Sequence, residues 1–236
     1  MERIDKIISK AKNISRSEAA SFVKKGLVAV DGKTVKSPAQ KAEPSQSEIL
    51  FCGERIIYSE FIYIMMNKPK GVISASEGKN EKTVIDILPP ELRRRKLFPA
   101  GRLDKDTTGF MLITDDGAFA HRILSPKNHI PKTYIATVDE PVTEQVIRAF
   151  EQGVLLKDEK CLPAKIQKEN ADFTVARVTI HQGMYHQIKR MFAAFGITVT
   201  ELERIKMGGL ELDYSLEKGQ CRLLSSKEIE LIENGK

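Results

Sequence analysis

Four aspartates fall within PAGRLDKDTTGFMLITDDG, residues 99–117: Asp104, Asp106, Asp115 and Asp116. Carboxylates at this density can ligate a metal, cap a helix or present a nucleophile. A metal would need further ligands. The three cysteines (Cys52, Cys161, Cys221) are far apart and the four histidines (His121, His129, His181, His186) are scattered. With no C-x-x-C or H-x-x-x-H spacing, no metal is expected. Asp115 and Asp116 precede GAFAHRIL, where Phe119 and Ile123 share a helical face, and read as helix-start carboxylates stabilised by the backbone dipole. Asp106, followed by Thr107, Thr108 and Gly109, reads as turn chemistry. Asp104 follows Gly101-Arg102 and adjoins Leu103; by its chemistry alone it is as readily a turn residue as a catalyst.

These side chains need elements to position them. YIMMNKPKGVIS (63–74) predicts an apolar strand, a Pro-Lys-Gly break and a second short strand, and KTVIDILP (82–89) a helix stopped by Pro89. TYIATV (133–138) alternates with period two, placing Tyr134, Ala136 and Val138 on one face, and DFTVARVTIHQG (172–183) predicts a similar strand. HQIKRMFAAFG (186–196) sets Ile188, Met191, Phe192 and Phe195 at helical spacing, with Gly196 as the stop. Lys189 lies about 100° round that helix from Ile188, flanking the apolar stripe, whereas Arg190 points farther away, toward the surface or RNA. No G-x-G-x-x-G or G-x-x-x-x-G-K-[ST] occurs, which argues against nucleotide-cofactor and P-loop enzymes. Without a clean βαβ repeat, the expectation is an α+β fold around a mixed, largely antiparallel sheet.

The chain of 236 residues is 41% hydrophobic and 30% charged, with a net charge of +6. Residues 1–42 contain ten Lys/Arg and four Asp/Glu, so this segment carries the whole excess. RIDKIISKA (3–11) aligns Ile4, Ile7, Ile8 and Ala11 on one helical face. NISRSEAASFVKKG (13–26) predicts a second helix, with a Ser15/Glu18 capping box, Ala19, Phe22 and Val23 inward, and Gly26 at its end. LVAVDGKTV predicts a hairpin on Asp31-Gly32, and SEILF (47–51) a further strand. The order of RIDKII and SRSEAASFVKKGLVAVDG resembles an S4 RNA-binding domain. That resemblance implies that Arg3, Lys6, Ser15, Arg16 and Lys24 face an RNA backbone, where phosphate contacts position without reading sequence. The expected domains are 1–59 and 60–236, with a hinge near CGERIIYSEF (52–61).

GRLDKDTTG, KTY (132–134) and HQIKRMFAAFG occur in that order, after NKPKG (67–71) and the S4-like segment. The set resembles the ribosomal small-subunit pseudouridine synthase A family. It implies that Asp104 is the catalytic aspartate, that Tyr134 stacks on the target base and that Lys189 is the basic residue paired with the aspartate. Many members of the wider superfamily carry arginine there; lysine supplies a point charge without the rigid fork. A carboxylate can attack a sugar carbon or add to the base, and must be ionised to do either, which a neighbouring cation favours. Stacking needs a base flipped from its helix. Arg102 and Arg190 are the remaining candidate RNA contacts, and ordinary hydrogen-bonded roles are expected for the four histidines.

The implied activity is isomerisation of a uridine in ribosomal RNA, most directly the small-subunit 16S species, without cofactor. The alternatives are a large-subunit 23S enzyme and a non-catalytic S4-type assembly factor. The expected partner is ribosomal RNA, free or in a small-subunit assembly intermediate, bound by a monomer. No apolar run approaches the ~20 residues of a membrane helix, MERIDK is no signal peptide, and the odd, dispersed cysteines suit a reduced cytoplasm.

Overall fold

The structure, a computed structural model, describes all residues except 45, 57, 94, 95, 129, 158 and 236. The chain forms two compact units, one of residues 1–62 with 89–97 and the other of residues 63–88 with 98–236.

In the first unit, helices Ile4–Lys12 and Arg16–Lys24 bury Ile4, Ile7, Ile8, Ala19 and Val23. The second helix starts on the expected capping box: Ser15 Oγ accepts from the Glu18 amide and the Glu18 carboxylate accepts from the Ser15 amide. Asp31 and Gly32 both have positive φ, 50° and 74°, joining Val28–Val30 to Lys33–Thr34 through the tight turn that the Asp-Gly dipeptide predicts. Ile49–Phe51 pairs antiparallel with Val28–Val30.

The second unit is built on a nine-stranded mixed sheet. Its main path runs Lys165–Lys168, Val175–Ile180, Lys132–Val138, Val199–Met207, Thr108–Thr114, Tyr63–Lys68, Cys221–Leu223. Every neighbouring pair on this path is antiparallel except Val199–Met207 with Thr108–Thr114. At that parallel step Gly109 has φ +94°, and any Cβ there would strike the Arg204 carbonyl, so the close approach requires glycine. Helix Gly117–Leu124 packs Phe119, Ala120 and Ile123 into the core with Phe110 and Leu112. Asp116 is its N-cap, accepting from the Phe119 amide at 2.9 Å, as expected for a helix-start carboxylate.

Two expectations are corrected. Residues 82–88 form turns and no helix: Thr83 Oγ1 accepts from the Ile85 and Asp86 amides while the Asp86 carboxylate accepts from the Thr83 amide. These side-chain bonds offer the backbone an alternative to the helical ladder. The second strand of 63–74 is reduced to a single bridge, Ile73 with Thr83.

Candidate active site

Asp104 lies on the loop that enters the Thr108–Thr114 strand, and the loop is pinned on both sides of it. Upstream, Ser74 Oγ accepts from the Leu103 amide at 3.0 Å and donates to the Leu103 carbonyl at 2.8 Å. Downstream, the Thr107 amide donates to the Asp104 carbonyl at 3.1 Å. Beneath, the ammonium of Lys68 donates to the carbonyls of Pro69, Asp104, Lys105 and Thr107 at 3.0, 3.1, 3.3 and 2.9 Å. Lys68 is 0% exposed. Burial draws its pKa down to about 8, but the four carbonyl dipoles replace its hydration and it stays charged at neutral pH. Lys68 is the residue that sequence reasoning passed over. Its signal was a lysine at the end of the apolar run YIMM, in a strand that the sheet encloses.

The side chain of Asp104 is 26% exposed and has a basic group at each oxygen: His186 Nε2 is 3.4 Å from Oδ1, and Lys189 Nζ is 3.8 Å from Oδ2. The same ammonium sits 2.6 Å from Asp106 Oδ2. That bond holds the Asp106 carboxyl below its ordinary range, so Asp106 is more than a turn former. His186, read from sequence as an ordinary hydrogen-bonding histidine, instead faces Asp104. It begins the helix Gln187–Ala193 in a left-handed conformation (φ 47°, ψ 35°) that aims the imidazole back over the loop. Among the other histidines, His121 lies in the last turn of Gly117–Leu124 and His181 follows the Val175–Ile180 strand, while His129 is outside the described residues.

Tyr134 is buried on the Lys132–Val138 strand and lines, with Asp104, a recess of about 70 Å³. Ile180, Ile188 and Leu202 supply its apolar wall, and Thr107, His186 and Gln187 its polar edge. Arg102 stands exposed at the mouth. Arg190 is half-buried and donates to the Tyr185 carbonyl at 3.3 Å. Among the described residues, no group of three or more His, Cys, Asp or Glu gathers as a metal site. None of their helices is long and apolar enough to cross a membrane.

In the first unit, buried Asp5 accepts from Arg3 at 2.7 and 3.1 Å and from Arg16 at 2.9 and 3.0 Å, so one carboxylate gathers two guanidiniums. The Arg3 bond, aided by Arg16, keeps that carboxyl below its ordinary range. Lys6 pairs with Glu2 at 2.6 Å, and Ser15 is engaged in the helix cap. These bonds balance part of the charge that composition alone leaves uncompensated. Lys24 lies exposed in the last turn of its helix.

Residues 62–194 match the model of the RNA pseudouridylate synthase family, and residues 2–47 that of the S4 domain. The chain is 44% identical over 233 residues to the uncharacterized RNA pseudouridine synthase YtzG of Bacillus subtilis strain 168, covering 98% of each. It is 40% identical over 228 residues to the ribosomal small subunit pseudouridine synthase A of Escherichia coli strain K12, covering 96% of this chain and 98% of the relative. A crystal structure of a pseudouridylate synthase aligns with 98% of this chain and 100% of its own at 40% identity, with a TM-score of 0.68.

Proposed function

The chain belongs to the RNA pseudouridylate synthase family and carries an S4 domain, and from that premise we propose that it converts a specific uridine of small-subunit ribosomal RNA into pseudouridine. In this reading Asp104 is the nucleophile, Tyr134 stacks on the flipped base and Lys189 is the basic residue paired with the aspartate. Arg102 and Arg190 contact the RNA near the site, and Arg3, Lys6, Ser15, Arg16 and Lys24 contact its backbone from the S4 domain. The observation that carries the reading is the flanking of Asp104 by Lys189 at the edge of the recess that Tyr134 lines.

The reaction breaks the N1–C1′ bond, turns the uracil and joins C5 to C1′; a proton leaves C5 and one is gained at N1, so nothing is added or lost. The detached base must stay in place and water must stay out. A small recess with an apolar wall of Ile180, Ile188 and Leu202 serves both needs. Lys189 and His186 set a basic group beside each oxygen of the carboxylate, and the Lys68 cage fixes the loop that carries it. We place the enzyme in the cytoplasm as a monomer, acting on rRNA or on a small-subunit assembly intermediate.

The test is incubation of the protein with unmodified small- and large-subunit rRNA, followed by mass analysis of nucleosides and mapping of the product. Pseudouridine at one small-subunit position is expected. A large-subunit product would move the target, and no product from either RNA or from an assembly intermediate would leave an RNA-binding factor.

A further inference from the structure

In front of Asp104 the recess opens into a cleft of about 580 Å³. Arg102, Leu103, Asp104 and His186 line both spaces, whereas Tyr134 borders only the recess and Tyr185 only the cleft. A volume of that order holds a whole nucleotide-sized ligand. One base on Tyr134 leaves it unfilled.

Tyr185 is 76% exposed, and its ring lies flat against the His186 imidazole, centroids 3.8 Å apart and planes 17° from parallel. A solitary exposed tyrosine needs no special account. This one is held: His186 adopts the left-handed conformation that non-glycine residues seldom take, and Arg190 donates to the Tyr185 carbonyl. One ring face is covered by imidazole and the other is open. We propose that Tyr185, backed by His186, is a stacking platform for the base of a nucleotide adjoining the target uridine. Exposed Arg102, at the junction of the two spaces, receives the phosphate between the two nucleotides. The proposal rests on the RNA-modifying reading and extends it: recess and cleft together engage two neighbouring bases on two separate aromatic rings. Stacking tolerates any base, since each has a π-face, so the platform contributes grip more than sequence choice.

The test is a cycle between Tyr185→Ala and RNAs that carry an abasic ribose on either side of the target uridine, read as single-turnover conversion against RNA concentration. With intact RNA, Tyr185→Ala should raise the half-saturating concentration about tenfold and Tyr185→Phe should stay near wild type. With the abasic sugar on the stacking side, wild type should fall to the level of Tyr185→Ala and the variant should lose nothing more. An undiminished tenfold difference on both abasic RNAs, or no effect of Tyr185→Ala on intact RNA, overturns the platform while the enzyme reading stands. Absence of conversion by wild type on intact RNA overturns both.

Discussion

Lys189 lies 1.2 Å closer to Asp106 than to Asp104, at 2.6 against 3.8 Å. The exposed carboxylate therefore fixes the ammonium, and the recessed one feels its charge without a direct hydrogen bond. An aspartate that must attack gains from this arrangement. A positive charge lies beside it while its lone pairs stay available.

Lys189→Met should reduce turnover by about 10²- to 10³-fold with RNA affinity within a few-fold, the scale of losing one charge-stabilising group at a reacting centre. Asp106→Asn should cost far less, within about tenfold, because the ammonium keeps its place near Asp104 but loses its anchor. Single-turnover rates separate the two, and equal losses would show that Asp106 and Lys189 act as one unit.

Asp104→Asn should abolish detectable conversion while circular dichroism and RNA affinity stay near wild type. The amide preserves volume but is a far poorer nucleophile. Conversion at wild-type rate by the folded variant would remove Asp104 from the chemistry.

Lys68→Met leaves buried carbonyls of Pro69, Asp104, Lys105 and Thr107 without their shared donor and should destabilise the fold by about 3–5 kcal/mol. The difference should depend on pH. Burial lowers the folded value to about 8 and the unfolded value is near 10.4. Between these the unfolded chain binds more protons, so wild-type stability relative to the variant should rise across that window. Urea titrations at pH 7, 9 and 10 test it, and a constant difference would refute the lowering of the Lys68 pKa by burial.

Asp5→Asn should destabilise the first unit by about 1–3 kcal/mol, since the acceptor shared by Arg3 and Arg16 loses its charge and one of its two oxygens. The folded carboxyl titrates below the unfolded value near 3.9. Its contribution is therefore complete above that value and lost as pH falls through the folded one. Acid unfolding of wild type and variant should converge at low pH, and RNA affinity should drop because the two arginines are no longer pre-set.

What the sequence made legible was local or periodic. The apolar spacing of Ile188, Met191 and Phe192, the Asp31-Gly32 turn and the Ser15 cap each depend on residues a few positions apart. KTVIDILP misled because Thr83 and Asp86 bond to nearby backbone, which helical periodicity does not register. The contacts that were missed join distant segments: Lys68 to the carbonyls around Asp104, and His186 to its carboxylate. Lysine at a strand end and histidine before a helix look ordinary until the sheet brings those segments together.

The single parallel step in the sheet bears on how this protein acquires activity. It joins two antiparallel runs through only two register pairs, Thr108 with Glu203 and Gly109 with Arg204. Asp104 belongs to the loop entering one run, while Tyr134, Leu202 and the helix bearing Lys189 belong to the other. Each run itself contains distant pairings, Met66 with Cys221 in one and Lys132 with Met207 in the other, and the joint closes a loop on the order of a hundred residues, the slow kind of contact in folding. Nucleophile and base-stacking ring meet only once it closes. A nascent or refolding chain thus gains its chemistry only with a long-range contact, and locally formed strands alone give it none.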